Sequence, residues 1–357
     1  MATDTVVPDS YVAVPNAAPP PPYAPPAKKR RRWVAWAIGV AIVIALAKRD
    51  PVPSCGETIT SERACRISFD REKHTRRARA RVPATPAPAA GYPLILVFHG
   101  AQATADWQVA YTTFEDAAVR AGFAIVHPDG TGKDHTWNAG TCCGSAMHDQ
   151  VDDVSFVNEL IGRLKSLAAI DPRRIHVAGV SNGGMFADRL ACEMSNELAS
   201  LAMVSAAPYA GRCPLWIPIP TLMVHGKQDA IVPEVGRTEA SDDAPPYPDL
   251  HAFAADRARQ YDCADPVERA LNLVGSSCTT WSPCRFDGEV ELCLLGDGGH
   301  TWPGAKLELT SLGPTSRTLD ANRELLRFFQ RHELTVAADP PPAGATPATE
   351  PAPLPAP

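Results

Sequence analysis

The sequence predicts an α/β protein with a mostly parallel central sheet and helices on both faces. Three observations carry this expectation. Tyr92–Phe98 (YPLILVF) is an unbroken apolar run, as expected for a strand covered on both faces. Ile175–Val180 is a second apolar, β-branched run, and it turns directly into a helical pattern at Asn182–Cys192. From Tyr92 to Arg331, strand-like runs alternate with helical patterns, the signature of parallel strands joined by crossover helices. A chain of 357 residues suits one large α/β domain or two small ones.

Arg66–Phe69 and Thr75–Val82 read as opening strands, followed by a Pro/Ala loop to Gly91. Arg77, Arg79 and Arg81 alternate with small residues, which suits the solvent face of an edge strand. After Tyr92–Phe98 come a helix at Phe114–Ala121, closed by Gly122, and a strand at Phe123–Val126. The loop Thr131–Gln150 is long for an α/β domain, and such loops are usually functional. Val154, Val157, Leu160, Ile161, Leu164 and Leu167 recur at three-and-four spacing, an amphipathic helix whose start carries Asp152 and Asp153 to favour its dipole. Strands follow at Leu198–Ser205 and Thr221–Val224. An acidic, proline-rich insertion at Thr238–Pro248 precedes a helix at Leu250–Tyr261. Thr279–Trp281 and Val290–Leu295 read as the last strands and Leu319–Arg331 as the closing helix.

The ends differ from the middle. Eight of the 36 prolines lie in Met1–Pro26 and eight in Asp339–Pro357. Residues 1–32 and 336–357 are therefore expected to be disordered tails, 48–54 a linker, and 55–335 the folded domain. Trp33–Ala47 is fifteen uncharged residues between KKRRR and Lys48-Arg49. It would span roughly 22 Å as a helix, which suits the hydrophobic region of a signal peptide. Ala45-Leu46-Ala47 offers a cleavage site, while the long preceding tail suits a retained signal anchor. Both readings place everything after Ala47 outside the cytoplasm, secreted or membrane-anchored. Membrane contact is expected only through 33–47. The net charge of −6 argues against a nucleic-acid partner, and a monomer is expected.

The chemistry centres on Gly179-Val180-Ser181-Asn182-Gly183, a G-x-S-x-G between a strand and a helix. That context exposes a serine hydroxyl on a tight turn, with helix N–H groups facing developing negative charge. An alcohol needs a base, and the base an orienting acid. In α/β-hydrolases these follow the nucleophile in the order acid, then histidine. Asp229 follows the strand at Thr221–Val224 and His300 follows Val290–Leu295, giving Ser181, Asp229 and His300 as nucleophile, acid and base. His225 is a rival base that comes too early in the chain for this order. The oxyanion donors are expected to be the backbone N–H groups of Asn182 and, from the loop His99–Gln102, Ala101. Trp137 and Trp302 lie in loops near the site strands and read as a wall for an aromatic or apolar acyl group. Asp129, His135, His148 and Asp152 match no standard ligand spacing, so neither metal nor cofactor is expected.

HGAQ at 99–102, HPDG at 127–130, WNAGTCC at 137–143, VDDVSF at 151–156, AGVSNGGM at 178–185, HGKQDAIVP at 225–233 and GHTWPG at 299–304 together resemble one family. It is the polyhydroxybutyrate-depolymerase-like esterases, which overlap the feruloyl and acetyl xylan esterases of carbohydrate esterase family 1. The resemblance covers about Tyr92–His332. It implies a secreted, cofactor-free serine ester hydrolase of the α/β-hydrolase fold, with the triad at Ser181, Asp229 and His300. Feruloyl or related esters on plant polysaccharide are the favoured substrates. Short polyhydroxyalkanoates are the alternative, and a serine peptidase or a non-catalytic binding protein would use the same scaffold. The acidic insertion stands where the family has a short glycine-bearing link.

The ten cysteines fit an oxidising compartment. A bond between adjacent Cys142 and Cys143 would be strained, so both are expected to pair elsewhere, with Cys192 and Cys213 as candidates. Cys263, Cys278, Cys284 and Cys293 are expected to pair among themselves, and Cys55 with Cys65.

Overall fold

The computed structural model describes residues 52–59, 63–208, 217–239 and 246–334. The tails at 1–32 and 336–357 and the segment 33–47 lie outside the described residues, as do much of the linker and of the acidic insertion. Among the described residues no helix is long and apolar enough to cross a membrane.

The described strands are β1 (Cys65–Arg71), β2 (His74–Arg81), β3 (Tyr92–Phe98), β4 (Ala124–Pro128), β5 (Ile170–Val180), β6 (Ser200–Val204), β7 (Thr221–Gly226), β8 (Val267–Ala270), β9 (Ser277–Trp281) and β10 (Val290–Leu295). They form one sheet in the order β1-β2-β4-β3-β5-β6-β7-β10-β9-β8. The six central strands, β4 through β10, are parallel, and antiparallel strands flank them at both edges. The helices are α1 (Ala105–Thr112), α2 (Phe114–Arg120), α3 (Gly144–His148), α4 (Asp153–Leu167), α5 (Asn182–Glu193), α6 (Leu250–Gln260) and α7 (Ala321–Gln330).

The apolar run of β3 serves two cores because strand side chains alternate between faces. Leu94, Leu96 and Phe98 join one cluster with Phe156 and Leu160 of α4 and Phe186 and Leu190 of α5. Ile95 and Val97 join the other, with Phe114 of α2 and Leu325, Phe328 and Phe329 of α7. This two-faced burial explains why the run contains no polar residue.

Three of these elements lie outside the sequence expectation, among them the short helix α3, which falls within the expected loop Thr131–Gln150. Helix α1 starts at a Thr104 cap, whose side chain accepts the Trp107 N–H, but its apolar residues do not segregate to one face. Strand β8 (VERA) is exposed along its whole length and is held by pairing to β9. One expectation is corrected. Strand β2 is not an edge, because β1 covers it and β4 pairs with its other side. Arg79 and Arg81 instead meet Glu115 of α2.

Cys55–Cys65, Cys263–Cys284 and Cys278–Cys293 are disulfide-bonded, the last across the β9/β10 register. Cys142 and Cys143 are bonded to each other, which corrects the expectation of remote partners. A tight turn, with the Ala139 N–H donating to Cys142 O at 2.7 Å, folds this loop back on itself. Cys192 is also oxidised, and Cys213 lies outside the described residues.

Candidate active site

The loops after β3, β5, β7 and β10 converge at the carboxyl end of the parallel strands, where open α/β sheets bind ligands. Ser181 follows β5 and caps α5 with φ 55° and ψ −127°. That left-handed φ is strained for a residue with a Cβ, and the surrounding hydrogen bonds hold it. The Ser181 N–H donates to Val204 O at 3.0 Å, while its carbonyl accepts from Gly184 and Met185 N–H. Gly183 makes the turn possible by close approach. A Cβ there would lie 2.3 Å from Phe98 O and 2.4 Å from His99 O.

The structure brings the three expected residues together. Ser181 Oγ–H points at His300 Nε2, 2.8 Å away, and His300 Nδ1–H donates to Asp229 Oδ2, also at 2.8 Å. Asp229 is buried, and its Oδ1 accepts the N–H groups of Ile231 and Val232 at 2.9 and 2.8 Å. This arrangement fixes the imidazole tautomer, leaving Nε2 free to accept the serine proton. His225 is not the base. It is buried, its Nε2–H donates to Val232 O at 2.7 Å, and the same nitrogen lies 3.4 Å from Asp229 Oδ2. Burial lowers its pKa, with Asp229 opposing.

The loop His99–Gln102 lies against the serine: a Cβ on Gly100 would sit 3.3 Å from Ser181 Cβ. The orientation of the Gly100–Ala101 peptide is set from behind. Gly100 O accepts His99 Nδ1–H at 2.8 Å and Ala103 N–H at 3.2 Å. Because the peptide is trans, the Ala101 N–H points the opposite way. His99 Nε2 accepts the Gly130 N–H at 2.9 Å, so the ring must be neutral to make both bonds.

Burial pushes the pKa of His99 down from 6.5 to about 4, and does the same to His127 of β4 beside Glu115. The unfolded chain takes up protons at both below about pH 6.5, whereas the folded chain refuses them until about pH 4. Their contribution to stability is therefore complete above pH 6.5 and is lost as pH falls through that window, about 3 kcal/mol for each histidine. Urea midpoints should fall steadily from pH 7.5 to 5.5 to 4.5. Equal midpoints across that series would refute it.

Trp137 and Trp302 do not form the expected substrate wall. Both are fully buried. Trp302 packs on Phe114, and its Nε1–H donates to Asn322 Oδ1 at 2.9 Å. Trp137 stacks on Phe186, with centroids 5.3 Å apart, and meets Phe98 edge-on. An indole N–H buried among aromatics needs a partner, and both have one within the fold. A small concavity of about 30 Å³ is lined by Cys142, Met185, Ile231, Val232, Arg237 and Tyr247, with Ala139, Thr141, Ala207 and Pro208 completing it. Met185 lies one helical turn beyond Ser181, a spacing the sequence contains. The approach of Ile231, Val232, Arg237 and Tyr247 to the Cys142 loop carries no local signal.

A buried ion pair supports this loop. Arg76 Nη2 donates to Asp153 Oδ1 at 2.7 Å, and Asp153 Oδ2 accepts the Asn138 N–H at 2.8 Å. Desolvation lowers the Arg76 pKa and raises that of Asp153. Of the two aspartates expected to favour the dipole at the start of α4, Asp152 caps the helix and Asp153 is buried against Arg76. Two of the four residues weighed as a metal pattern have other partners, Asp129 with Ala105 N–H and Arg66, and Asp152 with Ser155 N–H and Arg71. Cys278, Glu291 and Cys293 also cluster, but both sulfurs are in their mutual disulfide and offer no thiolate.

A parallel sheet with this strand order, and a serine, acid and histidine following successive strand ends, is that of the α/β-hydrolases. A thermostable esterase of known structure shares the fold, with a TM-score of 0.51 at 14% identity over 76% of this chain and 64% of that one. Sequence comparison narrows the class. The family model described as Esterase PHB depolymerase matches residues 82–253. The putative esterase NocK of Nocardia uniformis subsp. tsuyamanensis is 30% identical over 268 residues, 69% of this chain and 76% of that protein. The chain belongs to this esterase family and is an ester hydrolase. Feruloyl esterase B of Piromyces equi is 28% identical over 225 residues, 60% of this chain, and the chain spans only 40% of that relative.

Proposed function

We propose that the protein is an exported serine esterase that works through an acyl-enzyme. The observation that carries this reading is the His300 ring, hydrogen-bonded to Ser181 Oγ on one side and Asp229 Oδ2 on the other. As Ser181 Oγ attacks the ester carbonyl, its proton passes to His300 Nε2, and Asp229 stabilises the imidazolium. The oxyanion faces the N–H groups of Asn182 and Ala101. Collapse expels the alcohol, which takes the proton from Nε2. Water then attacks the acyl-serine, gives its proton to the same nitrogen, and the acid leaves as the proton returns to Ser181.

The acyl group is favoured to be feruloyl or a related aryl acid esterified to plant polysaccharide. Support for this reading comes from a relative that is a feruloyl esterase. A hydroxybutyrate oligomer is the second reading, supported by the family description. The disulfides among the described residues support export.

One preparation tests substrate and export together. Protein from culture fluid should begin near Lys48 on N-terminal sequencing. It should hydrolyse methyl ferulate with a kcat/KM at least tenfold above that for a soluble hydroxybutyrate trimer. The reverse ratio selects the polyester reading, and inactivity on both rejects both substrates. Full-length chain found only in membranes means an anchor.

A further inference from the structure

The two proposed oxyanion donors stand on different loops. Asn182 follows β5 and Ala101 follows β3. These are neighbouring parallel strands, paired as far as Phe98 and Gly179. Beyond that pair the ladder ends, and the two loops touch at Gly100 against Ser181 and Gly183 against His99. Trp137, from the loop after β4, is hydrogen-bonded to both.

Its first attachment is to Asn182. The Trp137 N–H donates to Asn182 Oδ1 at 2.8 Å, and Asn182 Nδ2 donates to Trp137 O at 3.0 Å. The side chain of the residue after the serine thus binds both polar groups of one backbone unit. Its second attachment is to the other loop. Trp137 Nε1–H donates to His99 O at 3.0 Å. That carbonyl begins the turn whose next peptide carries the Ala101 N–H. The tryptophan cannot drift, because Phe186 stacks on one face with planes 4° apart, Phe98 closes on its edge, and Asn138 is tied to Asp153.

We propose that Trp137 is a positioning residue that holds the two halves of the oxyanion hole at a fixed separation through its indole N–H on one side and its backbone on the other. This rests on the serine-esterase reading above. Oxyanion donors act on charge that develops in the transition state, so loosening them lowers kcat with little change in KM. A purely structural tryptophan would not discriminate in this way.

The test replaces Trp137 by 3-benzothienylalanine, which keeps ring shape and stacking but has sulfur in place of the N–H, with W137F as the genetically simple companion. On a p-nitrophenyl ester, kcat should fall 10- to 100-fold while KM changes less than threefold. Inhibition by a trifluoromethyl ketone, whose serine adduct carries an oxyanion, should weaken by the same factor as kcat. Where W137F fails to fold, the isosteric variant decides. A folded isosteric variant with kcat and ketone affinity within twofold of the parent overturns the proposal. Equal losses in KM and kcat, with unchanged ketone affinity, overturn it too. Failure of the underlying reading looks different: Ser181→Ala would keep its activity, and both inferences would fall together.

Discussion

Ser181→Ala should lower kcat on p-nitrophenyl esters by about 10⁶-fold, to the residue of catalysis that oxyanion donors and binding provide alone. The fold should survive, because the hydroxyl's hydrogen bond is to His300 and the strained turn is held by backbone bonds to Val204, Gly184 and Met185. An unchanged melting temperature with lost activity is the expected pair of results. Asp229→Asn should be milder, about 10⁴-fold, since the backbone bonds to its other oxygen persist while the imidazole tautomer is no longer enforced. A serine variant that retains more than about 1% of the parent rate would remove Ser181 from the chemistry. A fluorophosphonate probe should label the parent at Ser181 and leave the variant unlabelled.

The second large effect is on stability. Arg76→Leu should destabilise the protein by about 3–5 kcal/mol, because it strands the Asp153 carboxylate in a site from which water is excluded. Arg76 also lies over the Phe156 ring at 3.7 Å, so packing is lost with the charge. The double variant R76L/D153L should recover part of the loss, since it leaves no buried charge behind although the Asn138 N–H loses its acceptor. Urea unfolding of the three proteins measures this directly. A single variant within 1 kcal/mol of the parent, or a double variant no better than the single, would show that the pair is not what holds this region. Asp153 also fixes Asn138, so the single variant should lose activity along with stability.

By itself the sequence determined the order of the proposed triad along the chain and the sheet that displays it. The serine turn, the strand-end aspartate and the glycine-flanked histidine are each local patterns, and their order along the chain is the order of strand ends in this fold. Tyr92–Phe98 and Val290–Leu295 were legible to the residue because strands buried on both faces are dominated by apolar side chains; Glu291 is admitted to the second only because Arg327 and Arg331 pair with it. Helix α1 was hidden because its apolar residues do not line one face, and β8 because its stability comes from its neighbour.

Only the tertiary structure decided which side chains are inside. Trp137 and Trp302 sit in loops, and nothing local distinguishes a loop aromatic facing a substrate from one folded back into the core. The difference lies in partners distant in sequence: Phe186 and His99 for one, Phe114 and Asn322 for the other. Arg76 and Asp153 each look like ordinary surface charges, one on a strand and one at a helix start. Their burial follows from a meeting of residues 77 apart in the chain. Cys142 and Cys143 were expected to reach outward, but the turn of their own loop brings them together. Periodicity records the face an element turns to its core, while contact between loops depends on where the whole sheet carries their ends. The proposed nucleophile was therefore visible in the sequence, and the groups that hold its surroundings in place were not.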